Sequence, residues 1–186
     1  MKLVLILILL SGSLLVKGLE PSAVVPNCKP VKGNFLFAST TEVSNGDYLF
    51  FLNDQLKKLD SEDYKELLPD TSAWLHKLTY YEPYETYYFR HPAYRNYPVV
   101  NISRYQAEAF CEWLEVQLNL RFSRIVNQPF VAVDVRLPTD QEWQEAARGG
   151  DENAIFPWPG YGMRNTTTKN SGKFMANFMR ARGDYM

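Results

Sequence analysis

A chain of 186 residues with a formal charge of −1, both signs interspersed along it, has no basic stripe with which to bind nucleic acid. Aromatic residues make up 15% of it and tyrosine alone contributes 12, which fits a loop-rich globular domain with polar-tipped aromatics and would equally fit a carbohydrate-binding face. The two histidines, His76 and His91, sit in different segments without cysteine or carboxylate at metal-ligand spacing, which argues against a zinc site.

Met1-Lys2 followed by the apolar run Leu3 to Val16, broken by Ser11-Gly12-Ser13, reads as a secretory signal peptide cleaved after Gly18. The run is too short and too early to favour a permanent span of ~20 residues, although an uncleaved N-terminal anchor is the alternative. Cleavage leaves about 168 residues, enough for one domain with a core. Residues 1–18 are therefore assigned to the signal, 19–33 to a linker and 34–186 to the domain. Cys28 follows Val25-Pro26-Asn27, which is not the small-residue pattern expected before a lipidated cysteine. In an exported protein a Cys28–Cys111 disulfide is allowed, but Cys111 also suits simple packing on a helix.

Asn34 to Ala38 reads as a short strand. Ser44 with Asp47 has capping spacing and opens a helix whose face is Tyr48, Phe51, Leu52, Gln55, Leu56 and Leu59. From Asp60 to Phe89 the pattern weakens around Pro69 and Pro83 into an inserted excursion with at most short helices. Its tyrosines, Tyr80, Tyr81, Tyr84, Tyr87 and Tyr88, are explained first by packing onto the domain and second by a partner surface. Pro98 to Ile102 is a β-branched run that reads as a buried strand, and Ser103 with Gln106 caps a helix beginning at Arg104. Ala107, Phe110, Cys111, Leu114 and Leu118 form its core stripe, while Glu108, Glu112, Glu115 and Gln117 form its solvated face.

Val131, Val133 and Val135 alternate with Ala132, Asp134 and Arg136, as in a half-buried strand that Pro138 stops. Thr139 and Glu142 then cap a short helix whose one apolar face, Trp143, Ala146 and Ala147, predicts a buried Trp143. Arg148 complements its dipole, and Gly149-Gly150 suits a left-handed end. Beyond it, Phe156-Pro-Trp-Pro-Gly160 and the following Gly/Asn/Thr-rich stretch read as ordered loop anchored by Trp158, Phe174 and Phe178.

Little of this sequence has the pattern of a catalytic site. Ser103 and Thr139, the best placed hydroxyls, are already explained as caps, and a hydrolase needs its nucleophile beside a base. Gly160-Tyr-Gly162 lacks the helix and spacing of a phosphate loop. Asn101-Ile-Ser103 and Asn165-Thr-Thr167 match glycosylation sequons, which matter only in a eukaryotic secretory pathway.

Several blocks in fixed order carry a family resemblance: Thr41-Glu-Val-Ser-Asn45, Tyr97-Pro-Val-Val-Asn101, Ala109-Phe-Cys-Glu-Trp113, Arg136-Leu-Pro-Thr139, Glu142-Trp143, Ala146-Ala-Arg-Gly-Gly150, Phe156-Pro-Trp158 and Ala176-Asn-Phe178. Over Asn34 to Met186 the chain resembles the sulfatase-modifying-factor domain of formylglycine-generating enzymes. Tyr88-Phe-Arg-His-Pro-Ala-Tyr94 and the stretch Met175 to Tyr185 look most similar to the gliding-motility and type IX secretion lipoproteins of Bacteroidetes.

The resemblance implies an α+β, C-type-lectin-like fold with short strands, two or three amphipathic helices and much loop, of which this chain is the N-terminal portion. Family oxidases bind copper through a cysteine pair near the C-terminus. Neither Cys28 nor Cys111 matches that pair, so no catalytic residue and no cofactor follow from the resemblance. The family's calcium site takes oxygens at Asn177 and Phe178, two donors where calcium needs six to eight.

The implied role is an exported, non-catalytic component of the periplasm or outer membrane, structural or interacting, with envelope proteins as partners. It uses no nucleic acid and meets the membrane only through an uncleaved signal segment. A truncated oxidase acting on a sulfatase cysteine and a carbohydrate-binding surface are the alternatives.

Overall fold

The computed structural model describes residues 7–11, 27–32, 36–75, 82–125, 132–158, 160 and 162–176. They form a mixed α/β structure with a small sheet and much loop, in two compact units, Met1–Thr139 and Asp140–Met186.

The first unit holds the sheet. Its strands are β1 (Leu7–Ser11), β2 (Cys28–Lys32), β3 (Leu36–Ser39) and β4 (Ala132–Arg136), in the antiparallel order β2-β3-β1-β4. Two of these differ from the sequence reading. Leu7–Ser11, inside the stretch read as a leader, is a central strand. Cys28–Lys32, inside the stretch read as linker, is an outer strand, and its Pro30 is tolerated because the sheet continues on one side only, next to an irregularity in register.

Helix α1 (Asn45–Gln55) starts where its capping box predicts: Ser44 Oγ accepts from Asp47 N at 3.1 Å and Asp47 Oδ2 accepts from Ser44 N at 3.3 Å. The long helix α4 (Arg104–Ile125) begins the same way, with Gln106 Oε1 accepting from Ser103 N at 2.7 Å and Ser103 Oγ accepting from Gln106 N at 3.2 Å. Between them lie α2 (Ser61–Glu66), capped by Asp60, and α3 (Glu82–Tyr87), with single 3-10 turns at Thr71–Trp74 and Pro92–Tyr94. The excursion is thus built of short helices, as its broken pattern suggests.

The core forms where α1, α4 and β4 meet. Ala107, Phe110, Cys111 and Leu118 are buried along the expected stripe, and Leu114 packs partly buried against them. Phe51 sits at the centre with ring centroids 5.3 Å from Tyr48, 5.5 Å from Phe110 and 5.6 Å from Trp113. Two buried polar tips are satisfied there: Tyr48 Oη donates to Leu67 O at 2.8 Å, and Trp113 Nε1 donates to Asp54 Oδ2 at 2.8 Å, a carboxylate that Lys58 also reaches at 2.7 Å. On β4, Val133 and Val135 are buried in the same cluster. The outer backbone edge of β4 is closed by α4, since Asn119 exchanges bonds of 2.8 and 2.9 Å with Val133 and Glu115 accepts from Val135 N at 3.0 Å.

The run Pro98–Ile102 is buried at Val99 and Val100 but is not a strand. Beside it runs only a short piece of chain, giving one bridge between Ser44 and Pro98 and one bond from Val99 N to Val43 O at 2.8 Å. Asn101 then turns with φ of 58°, and its carbonyl accepts from Asp70 N. Burial and β-branching made this segment extended; the ladder partner a strand needs is a tertiary matter.

The second unit contains α5 (Asp140–Arg148), which ends on Gly149 and Gly150 with φ of 60° and 90° as expected of a left-handed stop. Further on, Asn165 N donates to Lys173 O at 2.8 Å and Met175 N to Met163 O at 3.0 Å, closing a hairpin on which Arg164 lies 4.0 Å above the Phe174 ring. Trp158 stacks on Phe156 at 5.2 Å and donates to Gly162 O. The buried Trp143 expected from the sequence is not found: it is 50% exposed, and no described residue of this unit is buried. One-sided patterning identified the helix but could not say what covers its face. Trp143→Ala should consequently cost only about 1 kcal/mol, because half of the ring's transfer energy is never gained. Urea unfolding of the variant checks this, a loss of several kcal/mol being the contrary result.

Candidate functional site

Two groups of side chains in the first unit have the chemistry to matter: an aromatic ladder built on the excursion, and the two thiols.

The ladder is held by the start of α1. A helix leaves its first N–H groups without partners, and here Asn45 N donates to Tyr97 O and Gly46 N to Arg95 O, each at 2.8 Å. Gly46 suits this close approach, since a Cβ there would lie 2.8 Å from Arg95 Cγ and 3.2 Å from Arg95 O and the Arg95 side chain would have to shift. The buried Asn45 side chain adds two clamps, its Nδ2 donating to Tyr88 O at 3.1 Å and to Tyr94 O at 3.0 Å. Tyr88 is buried, donates to Pro98 O at 2.8 Å, and lies 5.3 Å from Trp74, 5.4 Å from Tyr94 and 6.2 Å from Tyr84. Burial pushes its phenol above the ordinary value.

The inner rings therefore pack the excursion down, whereas Tyr87 and Tyr97 are each 53% exposed. His91, expected to be a hydrogen-bonding loop residue, accepts from Ala93 N through Nδ1 at 3.1 Å. Tyr80, Tyr81 and His76 lie outside the described residues.

The thiols belong to the same hydrophobic cluster and are both free, Cys111 buried in it and Cys28 half-buried against it. Burial pushes the Cys28 thiol up to about 11. Burial, then the charges of Glu108, Glu112 and Glu115, push Cys111 up to about 12. A copper-binding cysteine gives up its proton on binding, and burial disfavours the charged form of both thiols here. Because the neutral thiol is favoured in the folded chain, the stability it contributes is complete below the ordinary value of 9.0 and is lost as pH rises through about 11 to 12. Urea midpoints should accordingly fall above pH 9, and fall less in Cys111→Val; an identical pH profile in that variant would contradict this origin.

The expected calcium donors, Asn177 and Phe178, lie outside the described residues. Among the described residues no group of three His, Cys, Asp or Glu side chains is placed to hold a metal ion. No helix among them is long and apolar enough to cross a membrane.

Comparison with known proteins decides the family. The sulfatase-modifying factor enzyme 1-like domain matches residues 7–185. The chain belongs to this family. Its relatives include the inactive C-alpha-formylglycine-generating enzyme 2 of Bos taurus, 26% identical over 151 residues, which cover 71% of this chain and 44% of that protein. The enzyme-2 relative from Mus musculus, also named inactive, is 34% identical over 77 residues, 41% of this chain and 19% of that protein. The formylglycine-generating enzyme of Mus musculus is 26% identical over 136 residues, 63% of this chain and 32% of that protein. The chain thus spans less than half the length of the curated relatives it matches. No solved structure matches it.

Within this sulfatase-modifying-factor domain, sequence reasoning found the caps and missed the clamps. Asn45 and Gln106 are its two buried polar side chains among the described residues. The only local signal for Asn45 is a polar residue at a helix start just ahead of a glycine.

Proposed function

We propose that the protein is an exported, non-catalytic sulfatase-modifying-factor domain that serves as a structural or interaction component of the cell envelope, in gliding-motility or type IX secretion machinery. Within residues 1–186 the non-catalytic part is supported by the surroundings of the two thiols, Cys111 buried in and Cys28 packed against one hydrophobic cluster that disfavours their charged forms. Relatives that are themselves named inactive support the same reading. The machinery assignment is supported by the Tyr88–Tyr94 and Met175–Tyr185 stretches, of which the first forms part of the ladder clamped by Asn45.

The test is mass spectrometry of a cysteine-containing sulfatase peptide incubated with the 186-residue product, copper and oxygen. An unchanged peptide is expected. Conversion of its cysteine to formylglycine would instead support the oxidase reading. A carbohydrate-binding surface is the second reading, favoured by the exposed Tyr87 and Tyr97 at the rim of the ladder. Glycan-array binding abolished by Tyr87→Ala would carry it.

A further inference from the structure

We infer that the run of turns from Tyr87 to Tyr97 is a preorganised docking surface for an acidic segment of a protein partner. It gives the interaction role proposed above its surface and rests on that reading.

The run is bonded to itself throughout. Tyr87 O accepts from Arg90 N at 3.1 Å and from His91 N at 2.8 Å, His91 O from Tyr94 N at 3.0 Å, Pro92 O from Arg95 N at 3.1 Å, and Tyr94 O from Tyr97 N at 3.0 Å. The clamps from Asn45 and Gly46 then fix it to the start of α1. A surface ordered before its partner arrives loses little conformational freedom on binding.

Tyr87, Arg90, His91, Arg95 and Tyr97 are all exposed on it. Exposed tyrosine and arginine without lysine or carboxylate is the composition of an interface centre rather than of ordinary surface. The sign of the partner follows from the charges. No Asp or Glu occurs from Thr86 to Ala107, and neither Arg90 nor Arg95 forms an ion pair among the described residues. The Arg95 stem lies across Gly46, which holds its guanidinium beside the start of α1. The carboxylates of the adjoining elements do not take these charges: Asp47 caps Ser44, Glu42 is half-buried and acts on the Tyr88 phenol, and Glu85 sits two places before Tyr87 on α3, off its face.

The rings decide the class of partner. Centroids run 6.3 Å from Tyr87 to His91, 6.3 Å on to Tyr94 and 5.3 Å on to Tyr97, at interplanar angles of 88°, 67° and 80°. Successive rings thus turn edge to face and make a ridged strip, without the flat platform on which consecutive sugar rings would lie. Ridges suit interdigitating side chains, and the two guanidinium forks suit their carboxylates.

The experiment titrates the 186-residue chain into three labelled peptides of equal length, repeats of Glu-Tyr-Gly, Lys-Tyr-Gly and Ser-Tyr-Gly, and reads fluorescence anisotropy. Saturable binding of the glutamate peptide is expected, weakened by salt, with the other two bound roughly tenfold or more weakly. Arg90→Gln with Arg95→Gln should lower that affinity roughly tenfold or more, since two charge-assisted contacts are lost. Arg121→Gln with Arg124→Gln, the same change of charge at exposed positions late in α4, should alter it by no more than about twofold. Arg90→Lys with Arg95→Lys keeps the charge but not the fork and should lose an intermediate share; it serves as the folded control if the glutamine pair shifts the urea midpoint.

Equal losses in the two glutamine pairs would mean attraction by overall charge and overturn the surface. A glutamate peptide bound no better than the serine peptide overturns the acidic partner. Glycan-array binding abolished by Tyr87→Ala, without peptide binding, places a carbohydrate there and overturns the protein partner. Each of these leaves the non-catalytic reading standing, since that falls to formylglycine formation in the assay above.

Discussion

Phe51→Ala is expected to destabilise the first unit by about 3–5 kcal/mol. Phe51 is 1% exposed, and its ring meets Tyr48, Phe110 and Trp113, so that α1 and α4 are joined through it. Truncation removes the transfer energy of the ring and leaves a cavity whose aromatic walls cannot close without leaving their rotamers. The neighbouring Phe50 supplies the control: it is 64% exposed and meets the cluster at the edge of Trp113, 5.7 Å between centroids. Phe50→Ala should cost about 1 kcal/mol or less. Urea unfolding of both variants measures the contrast, and equal losses would mean that α1 is rotated from the placement described.

Gln106→Leu is the second large effect, roughly 2–4 kcal/mol, although leucine fills the volume and favours the helix. The side chain makes three bonds at once: Oε1 accepts from Ser103 N at 2.7 Å, and Nε2 donates to both Glu66 O and Leu68 O at 2.8 Å. It is 8% exposed, so its loss leaves a donor at the start of α4 and two carbonyls at the end of α2 without partners and poorly reached by water. Gln106→Glu should not rescue, because it keeps the cap to Ser103 and sets a carboxylate against two carbonyl oxygens. A Gln106→Leu midpoint matching the parent, with the Ser103 amide still protected from exchange, would refute the triple role.

These two residues also show how far the sequence could be read. The helix starts were legible because capping is local: Ser44 with Asp47, and Ser103 with Gln106, sit three residues apart and bond as that spacing requires. The α4 stripe was legible because a 3.6-residue period is a property of one helix. The other bonds of Gln106 reach back some forty residues and leave no local trace. Trp113 was missed for a related reason, lying off the expected stripe yet buried because Asp54 on α1 takes its indole N–H.

Pro98–Ile102 and Trp143 fail in opposite directions. The first is buried and extended but finds no ladder; the second lies on a patterned helix and stays half exposed. In both, the pattern reported an element's preference and the tertiary partner decided the outcome. Of the candidate site, the family blocks pointed to the right stretch at Ser44-Asn45, while the clamp from Asn45 to the carbonyls of Tyr88 and Tyr94 depends on a loop that enters from more than forty residues away.

The claim on which the structural account turns is that the first unit closes around Cys111 and keeps its thiol inert. Time-resolved labelling of Cys111 in the folded chain at pH 8, followed by intact-mass analysis, tests it most directly. At 1% exposure and with its thiol pushed up to about 12, Cys111 should label only as fast as the domain unfolds, and faster in proportion when Phe51→Ala lowers stability. Labelling of Cys111 at the rate of a free thiol, unchanged by Phe51→Ala, would contradict the account.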